Sequence, residues 1–143
     1  SEIIDRGAER LEELSVLPEG ILLKDYATAM HDPTEGGVVD GLFELASASG
    51  RALRVDRSQI VVNTDTEKIC SVMEVDPLKI FGSGALLATV PPEKAAGVVE
   101  LIRNRGIQVS VIGEVLESKE PRLEIDDEVY TEPIRDQLYD LWG

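Results

Sequence analysis

The stretch His31-Asp32-Pro33-Thr34-Glu35-Gly36-Gly37 gathers an imidazole, two carboxylates, a hydroxyl and a glycine pair. Val38, Val39, Leu42, Phe43, Leu45 and Ala46 follow at helical spacing and Gly50 closes the run, so the stretch is expected to lead into a helix. Two readings are open. In one, Asp32 is the N-cap, Pro33 takes the first helical position and Glu35 completes a capping box. That leaves Gly36 and Gly37 unexplained, because each glycine in a helical turn costs about 1 kcal/mol against alanine. In the other, the glycines bring bare N–H groups and the positive end of the helix dipole up to a phosphate or carboxylate, with Thr34, Gly36 and Gly37 as binding residues. Asp32 then faces Mg²⁺ or takes the proton of an attacking hydroxyl, and His31 beside it joins the site, which makes both catalytic candidates.

A second small-residue cluster, Gly82-Ser83-Gly84, precedes a buried-looking run and makes Ser83 and Gly84 further binding candidates, with a tight entry turn as the equal alternative. Cys70, flanked by Ile69, Val72 and Met73, reads as a core cysteine. One cysteine and one histidine are too few for a zinc site, so no metal set is assigned to this chain.

The elements expected to hold these residues are an amphipathic helix over Glu2–Leu14, an extended stretch around Tyr26–Met30, and the glycine-led helix. Short strands at Leu53–Asp56 and Gln59–Val62 come next, then a helix Thr64–Met73 capped by Thr64 or Asp65. A strand Gly84–Val90, a helix Pro92–Arg105 and a strand Ile107–Val115 form a crossover, and an edge strand Arg122–Ile125 precedes a tail with Ile134, Leu138, Leu141 and Trp142 at near-helical spacing. The pattern predicts an α+β fold, a mixed β-sheet with flanking helices, as a single domain over residues 1–143.

At 143 residues and 43% hydrophobic, the chain is long enough for one real core. A net charge of −14 disfavours nucleic acid and anionic membranes, and Arg51, Arg54 and Arg57 are too few to reverse it. The lack of a spanning run or signal pattern places the expected location in the cytoplasm. A start without Met predicts that the chain begins at a domain boundary.

Taken together, His31–Gly37, Asp76-Pro77-Leu78, Gly82–Leu87, Val90-Pro91-Pro92-Glu93 and Ile112-Gly113-Glu114-Val115 resemble the AIR synthase-related C-terminal domain, closest to its hydrogenase-maturation, HypE-like branch. The resemblance spans roughly Leu11 to Val115. It implies that ATP and Mg²⁺ are held mainly by a preceding domain absent from this chain, that the longer protein forms a homodimer, and that the loop Asp32–Gly37 faces the cleft between the domains. Two departures stand out against that branch: no cysteine ends the tail, and Gly82-Ser83-Gly84 stands where Asn-Glu-Gly is common. The functions in view are therefore one half of an ATP-dependent enzyme or, alternatively, a non-catalytic binding or assembly module of the same fold.

Overall fold

The computed structural model describes residues 14–141. Helices α1 (Leu17–Leu23), α2 (Gly37–Ser49), α3 (Thr64–Met73) and α4 (Pro92–Arg103) alternate with strands β1 (Ala29–His31), β2 (Ala52–Val55), β3 (Leu87–Thr89), β4 (Gly113–Leu116), β5 (Arg122–Ile125) and β6 (Glu128–Tyr130). Short 3₁₀ turns occupy Arg57–Gln59 and Gln137–Leu141. β1 and β3 form an antiparallel pair, and the other strands form a mixed sheet in the order β4-β2-β5-β6, with β2 and β5 parallel. The expected α+β class with a mixed sheet is what the chain adopts.

The main core lies between α2 and one face of the four-stranded sheet. Val39, Leu42, Phe43 and Ala46 recur at helical spacing along α2 and meet Leu53, Val55, Leu123 and Ile125. The strand residues match because the parallel register sets Leu53 opposite Leu123 and Val55 opposite Ile125, so all four point to the same face. Leu123 is fully buried, and Leu123→Ala is expected to cost about 2–5 kcal/mol as transfer and cavity terms combine. On the opposite face Arg54 bridges Glu114 of β4 and Glu124 of β5, which also binds Arg122. Arg51 pairs with Glu117 and Arg57 with Asp76, so each arginine of that group is matched to a carboxylate. A second, smaller core joins Leu23 of α1 to Val98 and Ile102 of α4.

Several local expectations are corrected. Helix α2 starts at Gly37 with Gly36 as its N-cap and no side-chain cap, so the capping box of Asp32, Pro33 and Glu35 does not form. Pro33 is instead buried in the core. Asn63, not Thr64 or Asp65, caps α3, its side chain accepting from the Asp65 N–H. Gln59–Val62 is no strand: Asp56 accepts from the Ser58 N–H and winds the chain into the 3₁₀ turn, while Ile60 and Val62 cover the main core from a loop. The crossover also fails as drawn, because β3 and β4 lie in different sheets. Ile107 and Val109 pack on the smaller core and Ile112 on the main one, so the run passes between cores and joins β2 only at its end, where Ile112 O accepts from the Asp56 N–H and the ladder begins at Gly113. The tail makes the turn Gln137–Leu141; Trp142 and all of the expected Glu2–Leu14 helix but Leu14 lie outside the described residues.

Candidate functional site

Both glycine clusters meet at one carbonyl. Thr34 O accepts from the N–H groups of Gly37 at 3.1 Å and Gly82 at 3.0 Å, which ties the loop before α2 to the turn before β3. The β1–β3 ladder supports this junction by setting His31 opposite Leu87. Asp32, Thr34, Glu35, Ser83 and Gly84 are all exposed, with Gly84 at φ +92°. A shallow, open cleft runs past His31, Asp32, Met30 and Leu86 to Leu17 and Gly20 of α1. The structure thus brings His31 and Asp32 to a cleft, with Thr34, Ser83 and Gly84 on the adjoining loops.

Gly36 and Gly37 serve the interior. The N–H of Gly36 donates to Oδ2 of Asp136 at 3.0 Å, that of Gly37 to Thr34 O, and that of Val39 to Leu78 O at 3.0 Å. The expected set of bare donors is therefore not offered by either glycine. Their lack of side chains is explained by close approach: a Cβ at Gly37, at φ +69°, would lie 2.3 Å from Ile80 O and 2.5 Å from Leu78 O. One at Gly36, at φ +74°, would lie 2.6 Å from Ile134 O.

The anion at the α2 N-terminus comes from the chain itself. Asp136, 3% exposed, accepts from Gly36 through one oxygen and from the Leu138 N–H through the other at 2.9 Å. Asp40 in the first turn of α2 accepts from the Ile134 N–H at 2.7 Å, and Gln137 exchanges bonds with Asp76 N–H and Lys79 O. Burial pushes the Asp40 carboxyl up despite the Ile134 bond, and a hydrogen bond with Glu35 pushes the Tyr139 phenol up. Sequence reasoning missed Asp40 and Asp136. Asp40 lies among the apolar positions of α2, and Asp136 is one acid in a short charged tail, so only their partners mark them.

Below the loop, Asp76 anchors the segment that closes on Gly37. Its carboxylate takes both Arg57 nitrogens, at 2.6 and 3.0 Å, and the Leu78 N–H at 2.9 Å. Burial raises the Asp76 pKa, but the Arg57 and Leu78 bonds outweigh it and hold the carboxyl below its usual range. Lys79 lies over the Tyr130 ring, 3.2 Å from Glu128, whose carboxylate also takes the Tyr130 hydroxyl. Cys70 is buried, and burial pushes its thiol up, away from the thiolate that nucleophilic chemistry needs.

Comparison with known proteins matches residues 5–126 to the AIR synthase related protein, C-terminal domain. The chain belongs to this family. It is 35% identical over 89 residues to carbamoyl dehydratase HypE of Rhizobium leguminosarum bv. viciae, covering 61% of this chain and 25% of that protein. The crystal structure of Escherichia coli HypE, a hydrogenase maturation protein, superposes with a TM-score of 0.69 at 27% identity, covering 83% of this chain and 39% of that one. A HypE structure in complex with ATP superposes equally well, TM-score 0.69 at 23% identity, over 86% and 40% of the two chains, and so shares the fold. The chain spans less than a third of the length of the curated HypE relatives it matches. The match ends before Asp136, so the segment that closes α2 lies beyond the family-matched span.

Proposed function

We propose that this AIR synthase-related domain forms the acceptor-binding side of a longer ATP-using enzyme, with His31 and Asp32 as its catalytic groups and Thr34, Ser83 and Gly84 as its binding groups. The observation that carries this reading is the junction at Thr34 O, which ties the loop that brings His31 and Asp32 to the cleft to the turn that carries exposed Ser83 and Gly84. The likeness to carbamoyl dehydratase HypE and to a fold solved with ATP supports nucleotide use by the longer protein.

The residues present here do not fit ATP·Mg²⁺ by themselves. No described lysine or arginine lines the cleft, Asp136 already takes the Gly36 N–H, and among the described residues no group of three or more His, Cys, Asp or Glu could hold a metal ion. In this reading nucleotide and metal are held mainly by the remainder of the longer protein, which forms a homodimer. Among the described residues no helix is long and apolar enough to cross a membrane.

The test is acceptor-dependent ATP turnover by the protein extended to the length of its relatives. Asp32 is exposed, so Asp32→Asn is expected to leave the melting temperature unchanged while turnover falls by roughly 100-fold or more. Unchanged turnover removes Asp32 from the chemistry. The committed Gly36 donor favours a second reading, a non-catalytic assembly module, which predicts no turnover with any acceptor from a folded protein.

A further inference from the structure

We propose that His31 and Glu44 form a proton-transfer pair at the cleft, with Glu44 as a positioning residue that fixes the imidazole tautomer and leaves Nδ1 to accept a proton. The inference rests on the reading above and deepens it by assigning the base and the class of group it acts on.

Nε2 of His31 lies 2.5 Å from Oε2 of Glu44 on α2. A carboxylate only accepts, so Nε2 carries the hydrogen and, in the neutral ring, Nδ1 holds the free lone pair. The seat under the ring is built by Gly41, one turn before Glu44: a Cβ there would lie 3.2 Å from His31 Cδ2 and 2.7 Å from Pro33 Cβ. The Cδ2–Nε2 edge therefore faces α2. The opposite edge, Nδ1–Cε1, faces away from the helix, and His31 and Asp32 line the cleft. Half-exposed Glu44 and one-third-exposed His31 remain within reach of solvent and ligand.

The chemistry suits an acceptor with an O–H or N–H. Its X–H bond breaks, the electron pair stays on X, and the proton forms a bond to Nδ1. The imidazolium so formed keeps its Nε2–H on Glu44, which compensates the new charge. Asp32, which lines the same cleft, and Asp40, one turn from Glu44 on α2, add negative charge near this pair. An uncharged or cationic acceptor fits this surrounding better than an anionic one.

The chain has a single histidine, so ¹⁵N imidazole resonances report this ring alone. In the neutral ring the 143-residue chain is expected to show a protonated Nε2 and a bare Nδ1, Glu44→Gln to keep that pattern, and Glu44→Leu to give a mixture of tautomers. A wild-type Nδ1–H tautomer, or no change in Glu44→Leu, overturns the pair. In the longer protein Glu44→Leu is expected to lower kcat roughly 10-fold or more with little change in KM, and Glu44→Gln to restore part of it. Wild-type turnover that Glu44→Leu leaves intact overturns the base role alone. Absence of turnover from every variant overturns the enzyme reading and the base role with it, while the tautomer still decides the geometry.

Discussion

Gly36-Gly37 and Gly82-Ser83-Gly84 look alike in sequence, small residues at the mouth of an apolar element, yet the fold uses them in opposite ways. The first pair is buried and lets three stretches of backbone meet: Leu78–Ile80 against Gly37, and Ile134 against Gly36. In the second cluster Ser83 and Gly84 are exposed beside the loop that carries Asp32. A glycine before a helix signals close approach of something, and that something is as readily the chain's own carbonyls as a ligand's phosphate. Gly37 and Gly82 share one acceptor, Thr34 O, so what separates the cases is the rest of each cluster: Gly36 donates to buried Asp136, whereas Ser83 and Gly84 stay exposed.

The largest effect expected from this contrast is at Gly37. An alanine there meets two carbonyl oxygens at 2.3 and 2.5 Å in a left-handed backbone, so Gly37→Ala is expected to lose about 3–5 kcal/mol, read as a lower urea midpoint. A near-wild-type midpoint breaks the claim that the first pair is architectural. Asp136→Ala comes next. It leaves the Gly36 and Leu138 donors without their acceptor in a buried place, an expected loss of about 2–4 kcal/mol. Hydrogen exchange sharpens the test, because Gly36 and Leu138 amides should lose protection first, and Asp136→Asn should recover part of it by keeping one accepting oxygen.

Helix α2 was legible because Val39, Leu42, Phe43 and Ala46 share a face at helical spacing and Gly50 ends the helix in the left-handed region. The mixed sheet was legible as a class but not as pairings, since β2 and β5 meet across a long stretch of intervening chain that local pattern does not encode. Apolar runs misled where their side chains covered cores from loops, as Ile60, Val62, Ile107, Val109 and Ile112 do. His31, Asp32, Thr34 and Ser83 were legible as site candidates because their types are unusual together. Asp136 was not, because it acts only through Gly36, 100 residues away in sequence, and Glu44 is marked only by its contact with the His31 ring.

The backing of the closed side gives a pH signature. Asp76 has a lowered pKa, so its contribution is fully present above the unfolded carboxylate value near about 3.9 and is lost as pH falls through the folded value. Asp40 acts in the opposite sense: its raised pKa favours the protonated fold, a contribution lost as pH rises through its folded value. Stability is therefore expected to drop only gradually on acidification until the Arg57–Asp76 pair opens. Asp76→Asn should remove roughly 1 kcal/mol at neutral pH, given the exposed guanidinium, and flatten the acid limb of a denaturant midpoint series. An unchanged acid limb assigns the acid sensitivity to other carboxylates.

The smallest expected effect on stability is at Ser83, and it is the one that distinguishes the open cluster most directly. The side chain is exposed on a turn whose backbone is held by the Gly82–Thr34 bond and by the Ala85 N–H on Gly82 O. Ser83→Ala removes a hydroxyl and touches neither bond, so the melting curve should stay within about 0.5 kcal/mol of wild type. A binding role predicts instead a several-fold rise in KM for the acceptor in the longer protein, with kcat nearly preserved, because a uniform binding contact is lost and the His31–Glu44 pair is untouched. A destabilised Ser83→Ala with unchanged KM would place the second cluster beside the first as architecture, and the cleft would then keep only the His31–Thr34 side as its chemical face.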